Sequence, residues 1–121
     1  MKQGNVILAS IKDVYFASQL EGAAGVLGHR VEYLQEPRDL LEKVLGLKPG
    51  LLIVNLGDDE TDWSGIITEA KGMGGKLPVL AFGQHTDLVS REKALAAGAD
   101  TVVSNALFST DTPRLIEKYM K

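Results

Sequence analysis

Two patterns alternate along the chain, short runs rich in residues that favour β-strands and longer stretches whose apolar residues have a helical repeat. The runs are NVILA (5–9), RVEYL (30–34), LLIVN (51–55), PVLAF (78–82) and TVVS (101–104). Each is a few residues long, so we predict five β-strands. LLIVN is almost entirely apolar, which favours a strand covered by helices on both faces and therefore a parallel sheet.

The stretches between these runs repeat their apolar residues at helical spacing. The first runs from Asp13 to about Leu27, and Gly28 follows where a C-cap glycine is expected. The second is predicted to begin at Pro37 and to end at Gly46. Three further helices are predicted over residues 63–71, 87–97 and 112–119.

The last predicted helix has the clearest start signal. Thr112 is a preferred N-cap residue, and Pro113 follows at the first helical position, where its missing N–H does no harm. Five strands that each precede a helix predict an α/β fold, a doubly wound five-stranded parallel sheet with five helices in a three-layer (βα)5 sandwich. We expect one domain over residues 1–121.

Sites in doubly wound sheets lie at the carboxyl ends of the strands. The residues at or just beyond those ends are the candidates for chemistry. They are Ser10, Ile11, Lys12, Asn55, Gly57, Gly83, His85 and Asn105.

Composition narrows the classes of function. The formal charge is −3 and the pI is about 5.3, so no basic excess attracts nucleic acid or an anionic membrane. The chain has no cysteine, which excludes disulfides and thiolate chemistry. No apolar run approaches the length of a membrane span. We expect a cytoplasmic protein with no direct nucleic-acid or membrane partner, no metal and no cofactor.

Three segments carry a family resemblance. LPVLAFGQH and SREKALAAGADTVVSN give an apolar strand, a short loop, a helix that ends in AGA and a final strand, and LGHRVEYL gives a first-helix exit and second strand. This arrangement resembles the receiver domain of response regulators. The resemblance covers the whole chain by order of elements and is most specific over residues 51–118. It implies the flavodoxin-like receiver fold and a role in bacterial two-component or related signalling.

The resemblance also implies where a phosphorylation site would lie. In the family, acids after the first strand and an aspartate after the third hold magnesium, and that aspartate accepts a phosphoryl group. Here the third-strand position is Asn55, an amide that cannot form an acyl phosphate. The acid pair falls on Ser10 and Ile11, or on Ile11 and Lys12, and neither pair contains a carboxylate.

The family's phosphate-sensing residues are replaced as well. The hydroxyl position is Gly83, the lysine position is Asn105 with Ala106 after it, and the aromatic that changes rotamer falls at Val102. The resemblance is therefore to a degenerate member, or pseudo-receiver, that is not an enzyme. It implies a non-phosphorylatable module that acts by contact with a protein partner of unknown identity.

A docking surface follows from the same resemblance. Receivers commonly bind partners through the fourth helix, fifth strand and fifth helix, where this chain places Arg91, Val102, Arg114 and Lys118. A homodimer through that face is an alternative, as is a solvated surface. The first helix carries a second stripe of Tyr15, Gln19, Gly22 and Val26. Its glycines indicate close approach by another helix, either inside the domain or outside it.

Other chemistries remain as alternatives. The vacated pocket, with Ser10, Asn55, His85 and Asn105, is predicted to hold a small polar ligand or anion if the chain is a sensor. The acids after Asn55 have offsets like those of a calcium loop, or Asp62 caps the next helix. KGMGGK (71–76) resembles a phosphate loop, but a flexible helix exit fits its position better. A small flavodoxin-like redox enzyme is a further alternative, but this chain has neither a recognisable phosphate loop nor a clear ring-stacking pair for it.

Overall fold

The structure is a computed structural model that describes residues 5–120. Its five strands are β1 (Val6–Ser10), β2 (Arg30–Tyr33), β3 (Leu51–Asn55), β4 (Val79–Gly83) and β5 (Thr101–Ser104). Its five α-helices are α1 (Val14–Val26), α2 (Leu40–Leu47), α3 (Trp63–Gly72), α4 (Leu88–Ala97) and α5 (Asn105–Tyr119). The strands form one parallel sheet in the order β2-β1-β3-β4-β5, which confirms the predicted fold class.

Two hydrophobic clusters lie on opposite faces of the sheet. Side chains of α1 and α5 pack with alternate residues of β1 and β3, such as Ile7 and Ile53. Side chains of α2, α3 and α4 pack with the residues between them, such as Leu8 and Leu52. Helices therefore cover both faces of the sheet, which explains the continuous apolar run of β3.

Aromatic rings fill the cluster under α1 and α5. The rings of Phe82 and Phe108 stack with centroids 4.1 Å apart and an interplanar angle of 5°. Phe16 of α1 lies tilted against Phe82 at 4.9 Å. On the other face Trp63, the first residue of α3, is 8% exposed, and the Lys93 ammonium lies 5.3 Å from its ring centroid.

The second helix differs from its predicted bounds. Pro37 opens a 3₁₀ turn (Pro37–Asp39), and α2 then continues through Gly46 to Leu47. The left-handed C-cap is Lys48, with φ 50°, so the prediction that Gly46 closes the helix is wrong. Gly46 lies inside α2, and a Cβ there would meet nothing within 4 Å.

The last helix begins eight residues before its predicted start, at Asn105 instead of Pro113. Helix α5 starts at Asn105, directly after β5, and the Ser104 hydroxyl caps it by accepting the Leu107 N–H at 3.1 Å. The predicted start at Thr112 corresponds to a kink instead. Asp111 has non-helical φ and ψ, and Pro113 follows inside the helix. The Thr112 hydroxyl donates to the Phe108 carbonyl, so the local signal marks a second helical segment.

A charged cluster of Lys71 and Asp100 lies at the amino edge of the sheet, where the strands begin. The Lys71 ammonium donates to the Leu77 carbonyl at 3.0 Å and to the Asp100 carboxylate at 2.9 Å. Asp100 also accepts the Val79 N–H at 2.7 Å. Burial alone would raise the pKa of Asp100, but the hydrogen bonds from Lys71 and Val79 and the Lys71 charge together lower it.

The KGMGGK segment lies at this same amino edge. It leaves the end of α3 and leads into β4, with Gly74 and Gly75 at φ values of 100° and 71°. Since the segment joins a helix to a strand, the prediction of a helix exit is confirmed. None of the helices between residues 5 and 120 has both the length and the apolar character that a membrane crossing requires.

Candidate functional site

The carboxyl ends of four strands bring the predicted site positions to one edge of the sheet. Ser10 ends β1, Asn55 ends β3 and Gly83 ends β4, while Asn105 follows β5 directly. The register aligns them, because Asn55 pairs with Phe82 and Gly83 pairs with Ser104. This is the edge at which doubly wound sheets bind ligands.

The Asn55 side chain is closed into a local turn. Its Oδ1 accepts the Gly57 N–H at 2.8 Å, and the residue is only 7% exposed. A Cβ at position 57 would lie 3.2 Å from that oxygen, so the turn favours glycine there. The Asn55 Oδ1 is therefore an amide oxygen engaged with the backbone.

The residues at the end of β1 do not fit a magnesium site. Ser10 is 4% exposed and Ile11 is 6% exposed, so both side chains lie in the interior. A hard divalent cation prefers several oxygen ligands, above all carboxylates, and Ser10, Ile11 and Asn55 supply no carboxylate. The donor set here consequently does not suit the ion that the fold family implies.

Leu56 occupies the space beside Gly83. It is 5% exposed, and its Cβ lies 3.2 Å from the position that a Cβ on Gly83 would take. A side chain at residue 83 would therefore have to displace Leu56. The position where the family carries a phosphate-sensing hydroxyl is closed by an apolar side chain.

Asn105 lies at the position that the sequence analysis aligned with the family's lysine, and its side-chain oxygen is unpartnered. Its Oδ1 is buried and has no hydrogen-bond partner among the described residues. The adjacent Ser104 hydroxyl is engaged in capping α5. An amide carries no charge, so Asn105 cannot supply the cation that pairs with a phosphoryl group in the family.

A cavity of about 390 Å³ opens at this edge between the β3 and β4 loops, α4 and β5. Its lining has an apolar part and a polar part. The apolar side chains are Leu56, Leu88, Val102 and Val103, and the polar or charged ones are Asp59, Gln84, His85, Asp87, Ser90, Arg91 and Ser104. Gly57 and Gly83 complete the lining.

The cavity only partly matches the predicted pocket. Of the predicted ligand-binding residues, His85 lines it, whereas Ser10, Asn55 and Asn105 lie outside the lining within residues 5–120. Arg91 and Val102, predicted for a docking face, line it instead. The open space is thus displaced from the β1 and β3 ends towards β4 and β5.

Charges in the cavity are mixed. The Asp87 carboxylate accepts the Ser90 N–H at 3.0 Å at the start of α4, and hydrogen bonds from the Ser90 backbone and side chain lower its pKa. Arg91 lies one turn further along the helix. His85 is exposed in the loop before α4. The cavity can therefore offer a cation, a carboxylate and an imidazole to a polar ligand.

The acidic loop after β3 uses its side chains for local structure. Asp58 accepts the Thr61 hydroxyl at 2.5 Å, and Asp62 accepts the Gly65 N–H at 3.0 Å, which confirms Asp62 as the N-cap of α3. In the part of the chain that the structure describes, no three His, Cys, Asp or Glu side chains are grouped to hold a metal ion.

The predicted docking face carries apolar residues that the sequence analysis missed. Arg91, Arg114 and Lys118 are exposed and Val102 is half-buried. Beside them Leu88 is 64% exposed and Val89 is 79% exposed on the first turn of α4. Leu88 and Val89 are adjacent in the sequence, so both cannot lie on the single buried stripe of an amphipathic helix. This pattern in the sequence could have identified an exposed apolar residue on α4.

No family model matches the sequence, and no curated protein matches it. Solved structures do match. NtrX from Brucella abortus aligns with a TM-score of 0.79 and 16% identity over 94% of this chain and 26% of that one. A response regulator receiver domain from Bermanella marisrubri aligns at 0.80 and 18% over 97% and 98%. The chemotaxis response regulator CheY4 of Vibrio cholerae aligns at 0.79 and 12% over 98% and 100%.

The chain thus spans about a quarter of the length of NtrX and nearly the full length of the two single-domain neighbours. Identities between 12% and 18% establish a shared fold and nothing finer. The chain has the fold of response regulator receiver domains.

Proposed function

We propose that this chain is a receiver-like signalling module, not an enzyme, that is not phosphorylated and acts by binding another protein. The observation that carries the proposal is the state of Asn55, whose amide oxygen accepts the Gly57 N–H at the position of the phosphoryl acceptor. An amide oxygen is a poor nucleophile and carries no charge to attract a metal. We place the module in a cytoplasmic regulatory pathway related to two-component signalling.

The other strand ends support the same proposal. Ile11 and Leu56 are buried apolar side chains where the family needs a metal ligand and free space beside a hydroxyl. Asn105 is neutral where the family needs a cation. Restoring phosphoryl transfer would require changes at the ends of β1, β3 and β4 and at the start of α5. A single substitution is therefore not expected to restore activity.

The docking surface proposed for the partner is the α4 face. Leu88 and Val89 supply exposed apolar area, and Arg91 and Lys93 supply nearby cations. An apolar centre with a charged rim is the usual composition of a protein interface. Asp87 and Glu92 are exposed beside these cations, so the expected partner surface is apolar with charges of both signs at its edge.

Phosphorylation is tested by incubation with acetyl phosphate and magnesium followed by intact-mass measurement. We expect no mass change, while a receiver domain with an intact acceptor aspartate gains one phosphoryl group under the same conditions. A stoichiometric gain on this chain would overturn the proposal.

Partner binding is tested by affinity capture with matched variants. Val89→Glu places a charge on the α4 face, and Leu45→Glu places the same charge on α2, where Leu45 is 64% exposed. We expect a specific partner to be lost with Val89→Glu and kept with Leu45→Glu. Equal retention by both variants would remove α4 from the proposal.

A ligand sensor is a second candidate, and the cavity of about 390 Å³ favours it. A volume of this size suits a small molecule. Arg91 and His85 would orient an anionic group, while Val102 and Leu88 would cover an apolar part.

Inorganic phosphate is a suitable probe for this candidate. Saturable NMR shifts at His85 and Ser104 that disappear in Arg91→Met, but not in Arg38→Met, would favour a sensor. Shifts that are identical in both variants would indicate surface binding and argue against it.

A further inference from the structure

The outward face of α1 is apolar and has no partner within residues 5–120. Val14 is 78% exposed, Tyr15 is 57% exposed and Val26 is 85% exposed. These three large side chains lie exposed at the two ends of one 13-residue helix. A helix that only bordered solvent would carry polar residues on this face.

The centre of this face is formed by small residues. Ser18, Gly22 and Gly25 lie between the large side chains and are exposed. A Cβ built on Gly22 or Gly25 would meet nothing within 4 Å. Packing inside the domain therefore does not require either glycine, although each one weakens the helix.

The α1 face also lacks charge. Its one acidic residue is Glu21 at the margin, and the Glu21 carboxylate accepts the Tyr33 hydroxyl. The first turn of α1 has no acid and the last turn has no base. The exposed side of α4, in contrast, carries Arg91, Glu92 and Lys93. The α1 face therefore carries less charge than the α4 face.

The sizes of the side chains on this face are symmetric about position 20. Val14, Ser18, Gly22 and Val26 follow at intervals of four, in the order large, small, small, large. In an antiparallel pair centred at this position, Val14 of one copy meets Val26 of the other, and Ser18 meets Gly22. Tyr15 then lies over Gly25. A two-fold interface requires such self-complementarity, whereas an unrelated partner does not.

We propose that two copies of this chain associate through α1, antiparallel and crossing at Ser18 and Gly22. Residues four apart form the ridge that packs against its counterpart, which predicts a crossing angle of about −50°. The face is much smaller than the roughly 20 to 30 residues per side of a stable interface, so the dimer is weak and depends on concentration. It leaves the α4 face free.

Two matched glycine variants test the surface. Gly22→Gln fills the crossing point, and Gly46→Gln makes the same change on α2, where a Cβ also meets nothing within 4 Å. Both changes replace an exposed helical glycine with a better helix former, so both variants are expected to fold. Sedimentation equilibrium up to about millimolar concentration should give at least tenfold weaker association for Gly22→Gln and no change for Gly46→Gln.

Cysteine pairing tests the orientation, because the chain has no cysteine of its own. A mixture of Val14→Cys and Val26→Cys should form the mixed disulfide faster than either variant forms a disulfide with itself. Faster pairing of Val14→Cys with itself would overturn the antiparallel arrangement.

A monomeric wild type at the highest concentration, or equal association of Gly22→Gln and wild type, would overturn the α1 interface. Loss of the dimer in Val89→Glu alone would assign the interface to α4 and would also overturn the proposal.

Discussion

At the amino edge of the sheet, Lys71 and Asp100 bind each other and two backbone groups, whereas at the carboxyl edge Asn55 binds only the Gly57 N–H. The first cluster joins α3, β4 and the turn before β5. The second spans two residues of one loop. The comparison teaches that polar side chains at the amino edge join separate elements of the fold, whereas those at the carboxyl edge hold local turns and helix starts, as Asp62 and Ser104 do.

The largest expected effect is at the amino edge. Gly98 has φ 118°, and a Cβ there would lie 2.7 Å from Lys71 Cγ. Gly98→Ala combines backbone strain with displacement of the pinned Lys71 side chain. We expect the free energy of unfolding to fall by about 2 to 3 kcal/mol in urea titration.

Gly28→Ala is the matched control for that change. Gly28 has φ 82° after α1, and a Cβ there would meet nothing within 4 Å. It should lose about 1 kcal/mol, from backbone strain alone. Equal losses in the two variants would mean that the Lys71 cluster does not stabilise the amino edge.

The second effect concerns acid. Because the folded pKa of Asp100 is lowered, its ionised form contributes stability above the unfolded pKa of about 4, and this contribution is lost as pH falls through the folded pKa. Asp100→Asn should lower stability at pH 7 by about 1 kcal/mol, since the carboxylate is partly exposed. The gap between variant and wild type should narrow below pH 4 in urea titrations. A gap independent of pH would contradict the ionic role.

The smallest effect on stability is expected at the carboxyl edge. Asn55→Asp keeps an acceptor for the Gly57 N–H, so the free energy of unfolding should change by less than about 1 kcal/mol. Ser10, Ile11 and Asn105 still supply neither metal ligand nor cation. Acetyl phosphate with magnesium should therefore leave the mass of Asn55→Asp unchanged. A phosphorylated variant would indicate that the edge retains more of the family's chemistry than its residues suggest.

The fold could be predicted because each strand is short, apolar and followed by helical spacing, and because LLIVN has no polar face. The bounds of α2 and α5 could not. Thr112 and Pro113 form a strong helix start, but Ser104 is an equally good cap once β5 ends beside it. The position of β5 in the sheet decides whether the helix starts at Ser104 or at Thr112. The local sequence does not give that position.

The site could be predicted at the level of positions but not of shape. Asn55, Gly83 and Asn105 lie at the expected strand ends. The cavity lies between Leu56, which packs beside Gly83, and Val102 of β5. Those placements follow from the side chains that surround them in three dimensions.

Trp63 has one further consequence. It is the single tryptophan of the chain, it is nearly buried at the start of α3, and the Lys93 ammonium of α4 lies over its ring. A cation held near an indole changes the emission of that indole when the distance changes. The chain therefore carries a built-in fluorescent probe beside α4, and movement of that helix can be followed optically without any label.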